Sequence, residues 1–135
     1  MHRKNKLKKL GVILEMYLYI ILAVCVGSIV AQNAKRGKVK MLDTLMKRSA
    51  KYATMAQQDG SPLHSVVHAN HATAYLTAAK DVASEQEIHN ATGIDMKTFK
   101  ERIFGVQHEV TQKTLEKCPQ FKGDVDLYLS AIAES

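Results

Sequence analysis

Three histidines and a tyrosine mark one short stretch of this chain, SPLHSVVHANHATAYL. His64, His68, His71 and Tyr75 recur at steps of 4, 3 and 4. On a helix, at about 100° per residue, they fall within roughly 60° of one another. Histidines at i and i+4 can share a Zn²⁺ ion. No carboxylate or cysteine is expected to join them nearby, and HExxH is absent. The stripe lies in a weakly polar arc between Val67 and Ala78 on one side and Ala72 and Ala79 on the other. The expected role of the rings is therefore to pack and hydrogen-bond against another helix or a partner. His64, His68 and His71 are the metal candidates of second rank, and a pH-responsive contact is a third use of imidazole. No bound cofactor is expected.

Other chemistry is thinner. Cys25 lies in an apolar run and Cys118 beside a proline, so neither a disulfide framework nor a zinc pattern is suggested. Cys118 has no base beside it, the Ser and Asp residues form no triad, and the glycines are too scattered for a phosphate loop. These features argue against an enzyme.

The elements that must position such residues begin with an anchor. Residues 1–9, MHRKNKLKK, are basic, and LGVILEMYLYIILAVCVGSIVA follows from Leu10 to Ala31. As a helix those residues span roughly 33 Å, against a hydrocarbon core of about 30 Å. Glu15 is the one charge inside, little more than a turn from the start. It is expected to reach the headgroup region, with a contact to a partner helix as the sharper reading. A retained single-pass helix is expected over a cleaved signal. Ile29 occupies the small-residue slot before Ala31, and Val24 stands where a lipoprotein box wants a small residue. Five Lys/Arg precede the helix and seven follow within about twenty residues, so the positive-inside rule hardly orients it. The later basic residues could also sit on anionic headgroups.

The formal net charge is +6, but it is not evenly spread. Residues 1–51 hold twelve Lys/Arg against Glu15 and Asp43, and residues 52–135 hold seven against eleven acids. Residues 32–40 read as a polar, Gly-containing, basic linker, and residues 41–135 as a helical head domain.

In the head, Leu42, Leu45, Ser49, Tyr52 and Ala56 share one face of a helix over 41–58. DGSP ends it, and Ser61-Pro62 starts a second, alanine-rich helix to about Ala83. Ser84 and Glu87 form a capping box for a short third helix that Gly93 ends. Asp95 caps a fourth, whose inward face is Met96, Phe99, Ile103, Val106 and Val110, and Pro119 stops it. A last short helix is expected from about Val125, with Leu129 and Ile132 inward. No stretch alternates at period two, so the fold class is all-α: one transmembrane helix followed by a small helical bundle.

The stretch SEQEIHNATGIDMKTFKERI, from Ser84 to Ile103, has helix-turn-helix spacing. His89 stands where that motif usually has a small residue, and Asp95 and Glu101 interrupt Lys97, Lys100 and Arg102. The acidic domain would repel phosphates, so a structural corner is expected and nucleic acid is not an expected partner.

Tyr75 to Phe99, YLTAAKDVASEQEIHNATGIDMKTF, with Glu116 to Ala133, EKCPQFKGDVDLYLSAIA, resembles small proteins encoded by large icosahedral DNA viruses of algae and protists. The resemblance covers about 60 residues. It rests on the A-A-x-D-x-A-S-x-x-E-I…T-G-I-D run and the later C-P. Such viruses enclose a lipid membrane beneath the capsid. The resemblance implies a minor structural protein of the virion, tethering that membrane to the shell within an oligomeric assembly. Its partners would be the bilayer and capsid proteins, with Glu15, His64, His68, His71 and Tyr75 as contact candidates. It supplies no catalytic residues. The alternative is an accessory single-pass subunit of a cellular membrane complex, for example a mitochondrial one.

Overall fold

The structure is a computed structural model that describes residues 1–121. Among them every regular element is helical: α1 His2–Gln58, α2 Pro62–Val82, α3 Glu85–Thr92 and α4 Met96–Lys117, then a 3-10 turn at Pro119–Phe121. The expected helix from about Val125 lies outside the described residues. The chain resolves into two units, Met1–Met41 and the residues from Leu42 onward.

The first unit is a single helical segment. Its apolar run is exposed residue after residue from Leu10 to Ala31, and it is long and apolar enough to cross a bilayer. Glu15 is exposed on it. Residues 32–40, expected as a linker, carry helical backbone instead. Gly37 is the strongest helix-weakening residue there, and it costs only about 1 kcal/mol relative to Ala.

In the second unit the helices surround a core of small and medium side chains. Leu42, Met46, Ala53, Ala72, Leu76, Ala79, Ala83, Ile88, Met96 and Ile103 form its main cluster, with Leu45, Tyr52, Ala91, Ile94 and Phe99 packed against it. A second cluster joins Ala56, Ala69, Val106 and Val110, flanked by Val66. Both inward faces expected for the first and fourth head helices are buried or half-buried as read, and Met46 and Ala53 join the first.

Alanines let α1 and α2 approach closely enough for a hydroxyl to bridge them. Ser49 Oγ, fully buried, donates to the Ala72 carbonyl at 2.7 Å. At the other end Thr114 Oγ1, also buried, lies 3.1 Å from the Pro62 carbonyl and 2.8 Å from that of Val110.

The helix boundaries follow local chemistry. Ser84 Oγ accepts the Glu87 amide at 3.2 Å and the Glu87 carboxylate accepts the Ser84 amide at 2.8 Å, the reciprocal box expected there. Gly93 closes α3 at φ 74°, where a side chain would be strained. Asp95 takes the Thr98 amide at 3.1 Å to open α4. The start of α2 falls where expected. Ser61 stands at the N-cap with Pro62 behind it, but its side chain makes no capping bond. The Asp59 carboxylate accepts the Ser61 amide instead, at 2.9 Å.

Candidate functional site

The histidine stripe meets an intramolecular partner. Tyr52, one turn from the end of α1's buried face, projects against α2. The Tyr75 ring stacks on it at 5.6 Å and 16°. His71 meets it edge-on at 5.0 Å and 75°, and His68 tilts toward it at 5.8 Å and 31°. The stacked and edge-on pairs are the arrangements that ring quadrupoles favour. Arg48 places its guanidinium carbon 5.8 Å from the Tyr75 ring centre, within cation–π range. A shallow groove runs beside this cluster, lined by Leu45, Tyr52, His71, Ala74, Tyr75 and Ala78.

The sequence reading missed a carboxylate. Asp59 sits in the turn between α1 and α2, outside any helical spacing rule. The reversal of the chain brings its Oδ2 to 3.4 Å from His68 Nε2 and 3.9 Å from His64 Nδ1. Its Oδ1 is occupied by the Ser61 amide, which fixes the carboxylate's orientation. The expectation that no acid joins the stripe is therefore corrected.

The three histidines have different surroundings. His71 meets Tyr52, while His64 is 69% exposed at its side chain. Among the described residues no group of three or more His, Cys, Asp or Glu is placed to hold a metal ion. The surroundings of His68 bear on metal binding through its own chemistry. Its Nδ1 is buried with no hydrogen-bond partner. Hydrogen assigned to Nε2 faces Asp59 and leaves Nδ1 as an unpaired acceptor. A metal on Nε2 would force the hydrogen onto Nδ1, where a buried N–H would find no acceptor. Metal-binding histidines normally donate that second N–H to a carboxylate, carbonyl or water.

The corner between α3 and α4 is tied rather than open. His89 is exposed, and its Nδ1 lies 2.8 Å from the Ile94 carbonyl across the Gly93 turn. Thr92 Oγ1 donates to the Ile88 carbonyl at 2.7 Å and accepts the Ile94 amide at 3.3 Å. So the residue that departs from helix-turn-helix spacing acts as a clasp. Of the cations on α4, Lys100 is engaged by Glu85 at 2.5 Å, which Lys80 also approaches at 3.7 Å. The Lys100 hydrogen bond is the main reason the Glu85 carboxyl is held below its ordinary range. Asp95 is lowered chiefly by the Thr98 hydroxyl, and Glu109 chiefly by the Lys113 hydrogen bond.

Cys25 is exposed on α1 and Cys118 half-buried at the end of α4; both are free thiols. Comparison with protein-family models, with curated proteins and with solved structures found no match to this chain.

Proposed function

We propose that this chain is a membrane-anchored, non-enzymatic structural protein. Leu10–Ala31 holds it in a bilayer, and the helical domain from Leu42 onward binds protein partners. The observation that carries this reading is the exposed apolar segment. Leu10, Val12, Ile13, Leu14, Met16, Tyr17, Leu18, Tyr19, Ile20, Ile21, Leu22, Val24, Val26, Ile29 and Val30 are each about half exposed or more. At about 1.5 kcal/mol or more for each such side chain, covering them is worth on the order of 20 kcal/mol. That exceeds the whole stability of a typical domain, about 5–15 kcal/mol. Water is therefore the wrong solvent for this segment, and its helical backbone satisfies its own hydrogen bonds in hydrocarbon.

The helical domain supports a binding role over catalysis. Its clustered rings stack on one another; Glu87 and Asp95 cap helices, and Asp43, Glu85 and Glu109 pair with lysines. The resemblance of Tyr75–Phe99 to proteins of membrane-containing icosahedral viruses supports the narrower proposal: a minor virion component tethering the internal membrane to the capsid. Alkaline extraction of membranes tests the anchor, and proteomics of purified particles tests the assembly. Retention in the membrane pellet together with recovery in particles is expected. Release by alkali would refute the anchor. Recovery only in a cellular membrane complex would replace the virion reading with an accessory-subunit role.

A further inference from the structure

Two clusters of cations bracket the apolar segment, both within the first unit. Arg3, Lys4, Lys6, Lys8 and Lys9 precede Leu10, and Lys35, Arg36, Lys38 and Lys40 follow Ala31. All nine lie on helical backbone, exposed except for the half-buried Lys38, and no acid lies within either cluster. Helical continuity through residues 32–40 fixes their spacing, which a flexible linker would not. Lys9 and Lys35 stand about 39 Å apart along the axis at about 1.5 Å per residue. A bilayer including its headgroup layers is about 40–45 Å thick.

Their angular distribution identifies the kind of surface they meet. At about 100° per residue the first cluster spreads over an arc of roughly 260° and the second over roughly 200°. No single face of the helix holds either set. A nucleic-acid groove or a docked protein approaches a helix from one side and is matched by a one-sided stripe. A lipid headgroup layer surrounds a helix that passes through it, and it is matched by a collar.

We propose that these clusters are two headgroup collars, each binding the phosphates of anionic lipids, one in each leaflet. This rests on the anchor reading above and adds the lipid chemistry. The matched collars require anionic lipid on both faces of the membrane that houses the protein. They also account for the near-balance of charge across the segment. Each Lys or Arg near an anionic surface contributes about a fivefold change in partition, weakened by salt over a Debye length of about 10 Å at moderate ionic strength.

The test uses the full chain reconstituted into phosphatidylcholine vesicles carrying phosphatidylserine in both leaflets. Spin-labelled phosphatidylserine and phosphatidylcholine report which lipid is immobilised at the protein. Alkali resistance is measured on the same sample to read insertion separately. The inserted chain is expected to prefer phosphatidylserine by about threefold or more at low salt, with the preference falling at high salt. Replacing Lys35, Arg36, Lys38 and Lys40 by Gln removes part of it. Replacing Arg3, Lys4, Lys6, Lys8 and Lys9 removes another part, and the combined variant removes all of it while helicity by circular dichroism is kept. Equal immobilisation of both lipids around an alkali-resistant chain overturns the collars and leaves the anchor standing. So does a preference that survives the combined variant, or one abolished by short duplex DNA at matched phosphate. Failure to insert overturns the anchor reading and the collars with it.

Discussion

Replacing Tyr52 by Ala asks whether the histidine stripe is internal packing or a surface reserved for a ligand. Three rings of α2 are arranged around this one side chain, at 5.0 Å for His71, 5.6 Å for Tyr75 and 5.8 Å for His68. An aromatic pair in good geometry adds about 0.5–1.5 kcal/mol beyond the area it buries. The Tyr75 stack and the His71 edge contact qualify, and the longer, tilted His68 contact adds less. Tyr52 is half-buried, so truncation also removes part of its apolar burial, and the α2 rings close over some of the gap. Together these give a loss of about 2–3 kcal/mol. For a domain of this size that lowers Tm by roughly 8–20 °C. The ring makes the contacts, so Tyr52→Phe should stay within about 0.5 kcal/mol of the parent. Tyr52→Leu, which keeps apolar bulk without the ring, should fall between. The assay is thermal unfolding of the full chain in neutral detergent, followed by circular dichroism in the far- and near-ultraviolet. Equal Tm values for Tyr52→Ala and the parent would refute the packing account and return the stripe to the surface as a free ligand-binding feature.

Other substitutions probe the joints of the same domain. Ser49→Ala removes the hydroxyl that bridges α1 to Ala72. The Ala72 carbonyl keeps its own helical partner, so the expected loss in denaturant unfolding is only about 1 kcal/mol. Ser49→Leu must overpack an interface of alanines and should cost about 1–3 kcal/mol or prevent folding. Gly93→Ala meets no neighbour within 4 Å, but it forces a side chain onto a φ of 74°. It should cost about 1–2 kcal/mol by the same measurement, with Gly93→Asn milder. The lowered carboxylates give the sign of the acid dependence. Glu85, Asp95 and Glu109 are all held below their ordinary values. Their contribution is therefore complete above the unfolded carboxylate range, about pH 4, and is lost as pH falls through their lower folded values. A Tm that is flat down to about pH 5 and falls in stronger acid is expected; a Tm that rises on acidification through pH 4 would contradict the sign.

Much of the domain was legible because its signals are local. Spacings of 3 and 4 put Leu42, Leu45 and Ser49 on one face, and Met96, Ile103 and Val110 on another. Capping needs only four consecutive residues, so Ser84 with Glu87, Gly93 and Asp95 could be read directly. Where reading failed, the partner was local but not helical, or was distant. At Gln32–Lys40 the polar residues and Gly37 suggested a linker. Lys, Arg and Gln are nevertheless good helix formers, and one glycine does not offset them. Ser61 does stand at the N-cap, and the turn before it adds what spacing could not show: Asp59, two residues earlier, accepts the Ser61 amide.

Asp59 illustrates the limit most sharply. Helical periodicity can state which side chains share a face of α2, as it did for His64, His68 and His71. It is silent about a residue in the turn before the helix, because the reach of a turn carboxylate depends on how the chain reverses. The same silence hid Tyr52, which was expected on α1's inner face with no indication of which α2 rings it would meet. Both omissions bear on function in one direction. A stripe of histidines judged from its own helix looks like a set of ligands waiting for an ion. With His71 and Tyr75 set against Tyr52, and Asp59 3.4 Å from His68 Nε2, the stripe also makes contacts within the fold while His64 and His71 stay exposed. His68 Nδ1 remains the exception, buried with no hydrogen-bond partner. The chemistry turned outward is then the exposed His64 and His71, the open groove beside Tyr75, and the basic clusters that flank the apolar segment. Of these, only the cations carry both a spacing and an angular pattern that select one kind of surface.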